Sequence, residues 1–109
     1  MTAETSRDNA RMDLEFTGPV IEWRGPSPFY FVRVPDGPAD EIHDVRKMAT
    51  YGWGVIPVEA QIGDVRFETS LFPKDDGYLL PLKVAVRKPL GIGEGDDVTV
   101  QMTVLLNRG

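Results

Sequence analysis

Apolar and polar residues alternate along most of this chain, and the period of two gives way to a helical one in only two places. The cleanest alternation is near the end. Val98, Val100, Met102, Val104 and Leu106 share one face, with Thr99, Gln101 and Thr103 on the other, the pattern of a half-buried strand expected to be central to its sheet. Ile56, Val58, Ala60 and Ile62 share a face in the same way. Gly63-Asp64 then supplies a two-residue hairpin turn, and Val65, Phe67, Thr69 and Leu71 carry the return strand. Near the start, Leu14 and Phe16 alternate as far as Gly18-Pro19, and Val20, Ile21 and Trp23 resume. That interruption predicts an edge strand, bent or bulged at the Gly-Pro pair. Phe29 to Val34, an aromatic and β-branched run, predicts a strand buried on at least one face, closed by Val34-Pro35. A turn at Asp75-Asp76-Gly77 leads into a short strand at Tyr78 to Leu80.

The first helical segment is Asp36 to Ala49. Asp36 can cap it, Pro38 suits the first turn, and Asp40 and Glu41 precede Arg46 and Lys47 in the order that complements the helix dipole. Ile42, Val45 and Ala49 form its apolar stripe. The second is predicted to begin at Pro81 and to run about two turns, with Val84, Val86 and Leu90 as apolar positions. Pro89 removes a donor from it, and Gly91, Gly93 and Gly95 reverse the chain into the last strand.

Two halves of this order look alike. A strand ending in Val34-Pro35, a helix with Val45-Arg46-Lys47 and a strand from Ile56 match a strand ending in Leu80-Pro81, a helix with Val86-Arg87-Lys88 and a strand from Val98. Such a repeat predicts a mainly β fold, a small pseudo-two-fold barrel of about six to eight strands capped by two short helices. Residues 1–12 read as a disordered polar tail and 13–109 as one domain.

Composition narrows the functions on offer. A net charge of −5 disfavours bulk attraction to phosphate backbones. The absence of cysteine removes disulfides, thiolate nucleophiles and cysteine-held metals. No stretch approaches the roughly 20 apolar residues of a membrane span, and the first residues contain no apolar signal core. A cytoplasmic protein, monomeric or weakly dimeric, is the expectation.

The run Arg87-Lys88-Pro89-Leu90-Gly91-Ile92-Gly93-Glu94-Gly95-Asp96-Asp97-Val98 is similar to the R-x-x-L-G-I-x-x-G-D-x-V hairpin of AbrB/MazE-like double-split barrels. From Leu14 to about Val104 the chain resembles an uncharacterised bacterial family, the domain of unknown function nineteen-oh-five. The shared features are the aromatic strand Phe31 to Pro35, the hairpin Ile62 to Leu71, Leu80-Pro81-Leu82-Lys83, Arg87-Lys88 and Gly95-Asp96. Pro89, where a helix former is common, and the Gly63-Asp64 turn depart from the family pattern. The resemblance implies a double-split β-barrel and no activity.

Most candidate chemistries have bland explanations. His43 lies among Asp40, Glu41 and Asp44 on an exposed helix, and no metal is expected there. Ser70 lacks a nucleophile elbow, the glycines 91, 93 and 95 lack a Walker lysine, and the carboxylates Glu68, Asp75, Asp76, Asp96 and Asp97 fall in turns or solvated strands. No catalytic residue and no cofactor emerges. Lys83, Arg87 and Lys88 form a cationic cluster fit to hold a carboxylate or phosphate. Trp23, Tyr30, Trp53 and Tyr78 border loops or strand ends, where rings line pockets. The reading is a noncatalytic module that binds a small anionic ligand or a peptide through Lys83, Arg87 and Lys88 with Trp53 and Tyr78 beside them. An AbrB-like regulatory protein that binds DNA, which the acidity opposes, and an enzyme with an unrecognised site are the alternatives.

Overall fold

The computed structural model describes residues 11–49 and 55–106. Six strands, β1 (Arg11–Trp23), β2 (Phe29–Arg33), β3 (Ile56–Ile62), β4 (Val65–Lys74), β5 (Gly77–Leu82) and β6 (Asp97–Leu105), close into a barrel in the order β1-β2-β5-β4-β3-β6. Every pairing is antiparallel. The long strands β1 and β4 each change partner midway. β1 pairs with β6 from Arg11 to Pro19 and with β2 from Val20 to Trp23, while β4 pairs with β3 from Val65 to Leu71 and with β5 from Phe72 to Lys74. The barrel therefore consists of a first sheet, β1-β6-β3-β4, and a second sheet, β1-β2-β5-β4, that share two strands.

Four strand prolines mark where the two sheets part. Pro19 is paired only with β6, Pro57 only with β4, Pro73 only with β5 and Pro81 only with β2. A residue without an N–H fits where one flank of the strand is unpaired. β1 accordingly runs through Gly18-Pro19 without an inserted residue; Arg11 to Pro19 are paired on one flank only, and the barrel closes through Val20 to Trp23. β1 also begins earlier than Asp13, at Arg11. β5 extends on both sides of the expected Tyr78 to Leu80 and takes in Pro81, which the sequence had assigned to a helix.

Exchanging β1 with β4, β2 with β5 and β3 with β6 leaves every pairing in place, so the pseudo-two-fold relation is present in the topology. Its alignment is not the one the sequence offered. Ala39 N–H donates to Pro35 O at 2.9 Å and Arg87 N–H to Lys83 O at 3.0 Å. Val34-Pro35 therefore matches Leu82-Lys83, Ala39 matches Arg87, and Tyr30 matches Tyr78.

The helices lie over the barrel ends. The segment expected as one helix is two, α1 (Asp36–Asp44) and α2 (Arg46–Ala49), because Val45 leaves helical geometry at φ −107° and Arg46 Nη1 donates to His43 O at 2.7 Å. Pro35, rather than Asp36, holds the cap position of α1. α3 (Val84–Leu90) starts after Lys83 and ends at Gly91, whose φ of 64° lets Gly91 N–H reach Lys88 O and Ile92 N–H reach Arg87 O, the paired bonds of a glycine-terminated helix. The interior holds the inward positions of all six strands plus Ala39, Ile42, Ala49 and Val86. Val32, Val58, Leu71, Leu80, Val100 and Val104 are fully buried, and each such side chain contributes roughly 1.5–3 kcal/mol of burial.

A cationic aromatic cleft beside the third helix

α3 leaves a cleft of about 640 Å³ between itself, the start of β2 and the middle of β4. Lys83, the residue before the helix, and Arg87, one turn in, supply its positive charge, and Thr69 and Ser70 its hydroxyls. Phe29, Tyr30, Phe72 and Val84 supply apolar walls. Val84 is 60% exposed, because the helical stripe buries Val86 and turns Val84 outward.

Arg87 is fixed from two sides. Its guanidinium carbon lies 3.7 Å from the centroid of the Tyr30 ring, and its Nε donates to Leu82 O at 3.1 Å. Stacking over an aromatic face is favourable for a delocalised cation, and using only Nε leaves the two terminal amino groups available. Tyr30 is itself held, its hydroxyl donating to Glu22 Oε2 at 3.2 Å. Glu22 is 3.3 Å from Arg24, which reaches Glu94 at 3.5 Å. Among the described residues no carboxylate lies within ion-pair distance of Lys83 or Arg87. No carboxylate or histidine among the described residues lines the cleft.

The expected cluster is only partly assembled. Lys83 and Arg87 share this cleft, whereas Lys88 is exposed on α3 and does not line it. Tyr78 belongs to a second cleft at the other barrel end, with Asp40, His43, Arg46 and the β4–β5 turn. Burial pushes the Tyr78 phenol pKa up, and the Arg46 guanidinium partly offsets this. Trp53 lies outside the described residues. Phe29, Phe72 and Val84 were missed as lining residues, although FYFVR was a readable sign that β2 carries apolar side chains on its outer face as well as its inner one.

The segment from Arg87 to Val98 forms the end of α3 and the loop into β6. Asp96 organises that loop, its Oδ2 accepting from Gly93 N–H at 2.9 Å, and Val20 N–H donates to Asp96 O at 2.8 Å. The third cleft, on the outer face of the first sheet, carries Asp13, Glu15, Glu59 and Glu68 beside Arg66. Among the described residues no group of three His, Asp or Glu side chains is placed to hold a metal ion. No helix among them is long and apolar enough to cross a membrane.

Fold and cleft together define a small closed β-barrel of two sheets with helical lids and a cation-edged aromatic recess beside α3. The chain belongs to the family described as a domain of unknown function (DUF1905), whose model matches residues 16–102. No curated protein matches it.

Proposed function

We propose that the chain is a noncatalytic binding module whose α3 cleft receives the carboxylate or phosphate of a ligand with an apolar body. The immobilised Arg87 carries this reading. A guanidinium already stacked on Tyr30 and tied to Leu82 O loses little further freedom when a ligand anion meets its terminal amino groups. Lys83 adds a second charge from the cleft rim, and Phe29, Phe72 and Val84 offer apolar surface beside it. The lining pairs these cations with hydroxyls and, among the described residues, contains no carboxylate or imidazole, which favours recognition over proton transfer. The acidic outer face of the first sheet, with Asp13, Glu15, Glu59 and Glu68, counts against wrapping by a phosphate backbone.

A thermal-shift screen of aromatic and aliphatic carboxylates, phosphate esters, nucleotides and oligonucleotides at two salt concentrations tests the proposal. The expected hits are small apolar anions whose stabilising effect disappears in Arg87→Ala and Lys83→Ala. Hits that both variants retain, or a salt-sensitive response to oligonucleotides alone, would overturn it.

A further inference from the structure

The two sheets present opposite chemistry to solvent. Across the first sheet the outward side chains run in register as Asp13, Thr103, Glu59 and Glu68, then as Glu15, Gln101, Gln61 and Arg66. Across the second, Ile21 lies opposite Phe31, which lies opposite Pro81, and Trp23 lies opposite Phe29. Trp23 is 50% exposed, Phe29 38% and Ile21 36%. The rings form one cluster, with centroids 5.3 Å apart for Trp23–Phe29 and 5.7 Å for Phe29–Phe31. Phe29 and Pro81 also line the α3 cleft together with Val84, so the patch runs into it without a break. Scattered exposed apolar residues are ordinary, but a continuous aromatic patch on a small monomer marks an interaction surface.

The surroundings select the occupant. β2, at the middle of the patch, is paired on both flanks, so a peptide cannot add beside it as a further strand. Arg33 and Lys74 hold outward positions beside the patch, and Lys83 and Arg87 line the cleft it runs into. Among the described residues no carboxylate holds an outward position within the patch, Asp75 and Asp76 lying in the adjoining β4–β5 turn. A second copy docked through the same patch would bring further cations and no carboxylate from within the patch to meet them. The rings touch at 46° and 42°, so they offer no row of separate parallel faces for nucleic-acid bases. A bilayer is flat, whereas the patch ends in a recess with a fixed guanidinium.

We propose that the outer face of the second sheet docks a segment of another protein. Apolar side chains of that segment cover Trp23, Phe29 and Phe31, and an adjacent acidic side chain enters the cleft toward Arg87 and Lys83. The acidic element of this inference rests on the cleft being an anion site; the apolar element stands on the patch alone.

A random twelve-residue peptide library displayed on phage, selected against the full chain, provides the probe. Selected peptides are then synthesised and titrated, with Trp53→Phe as the background so that Trp23 is the sole tryptophan reporter. Enrichment of sequences that combine aromatic or aliphatic residues with Asp or Glu is expected. Their emission should shift blue on binding, and Phe29→Ser and Ile21→Ser, each checked for native amide spectra, should weaken affinity at least about tenfold. Binding lost in Phe29→Ser and Ile21→Ser but unchanged in Lys83→Glu supports the docking face and sinks the anion cleft. Binding lost in Lys83→Glu but unchanged in both face variants sinks the docking face and leaves the cleft. No enrichment, a dimer that Phe29→Ser disperses, or a preference of the face for oligothymidylate or anionic vesicles over peptides overturns the proposal.

Discussion

The side chain of Arg33 reaches across the β4–β5 turn to donate to Lys74 O at 3.2 Å and Asp75 O at 3.1 Å, and it does so through the space left by the missing side chain of Gly77. A Cβ at Gly77 would lie 2.6 Å from Arg33 Nη2. Gly77→Ala is therefore expected to displace the guanidinium and to remove two hydrogen bonds to carbonyls, a loss of roughly 1–3 kcal/mol. Urea unfolding of Gly77→Ala beside Arg33→Ala measures it, and equal losses that do not add in the double variant show that both act through this clamp.

The turn under that clamp is held in an unfavourable conformation. Asp75 and Asp76 have φ of 52° and 65°, the left-handed pair of a tight hairpin that glycine or asparagine occupies at lower cost. Asp76→Gly should raise stability by about 0.5–1 kcal/mol. The readout is the urea midpoint, and a destabilised variant would mean that the Asp76 side chain makes an interaction that outweighs the strain.

Arg87 combines stacking with a directed hydrogen bond, which an ammonium cannot reproduce. Arg87→Lys keeps the charge yet should cost about 0.5–1 kcal/mol of stability. A cycle with Tyr30→Leu isolates the stacking energy, which is expected to vanish once either partner is gone.

Trp23 is positioned by Gly25, where a Cβ would fall 2.0 Å from the indole ring. Gly25→Ala should move the ring off Phe29 and shift Trp23 emission in the Trp53→Phe background. Global stability should change by less than about 0.5 kcal/mol, since the ring is half exposed and outside the core. A peptide selected on the second sheet should bind this variant more weakly.

Tyr78 gives the fold a pH signature. Its phenol holds its proton more tightly in the folded state than the ordinary value of 10.0 would allow, because of burial. The native state then binds more protons than the unfolded state above that value, so stability falls as pH rises from there through the folded-state pKa. Unfolding midpoints from pH 9 to 11 should decline less steeply in Tyr78→Phe than in the parent, and parallel declines would refute a burial-raised phenol.

Much of this was legible in the sequence, and for local reasons. Gly63 has the φ of 56° expected at the first position of a two-residue turn, Gly91 stops α3, and the inward faces of β3 and β6 carry the alternating residues. Lys83 and Arg87 stood out because no carboxylate separates them along the chain. Other features depend on contacts that spacing does not encode. Pro81 looks like a helix start until β2 is known to pair with it at Phe31, and Tyr78 looks like a neighbour of Lys83 until the pseudo-two-fold relation places it under α1 rather than α3.

The chain by itself determined the turns and the side chains that share a face in β3, β4 and β6, because those follow from a period of two and from residues with restricted φ. Only the tertiary structure decided which strand lies beside which, and so which faces join. Exposed Trp23 and Phe29 and half-buried Phe31 become a surface only when β1 and β2 pair, and Arg87 becomes a fixed donor only when α3 lies over Tyr30. The reason is that backbone pairing is not specific to sequence, so order and closure are set by which arrangement buries all the inward faces at once.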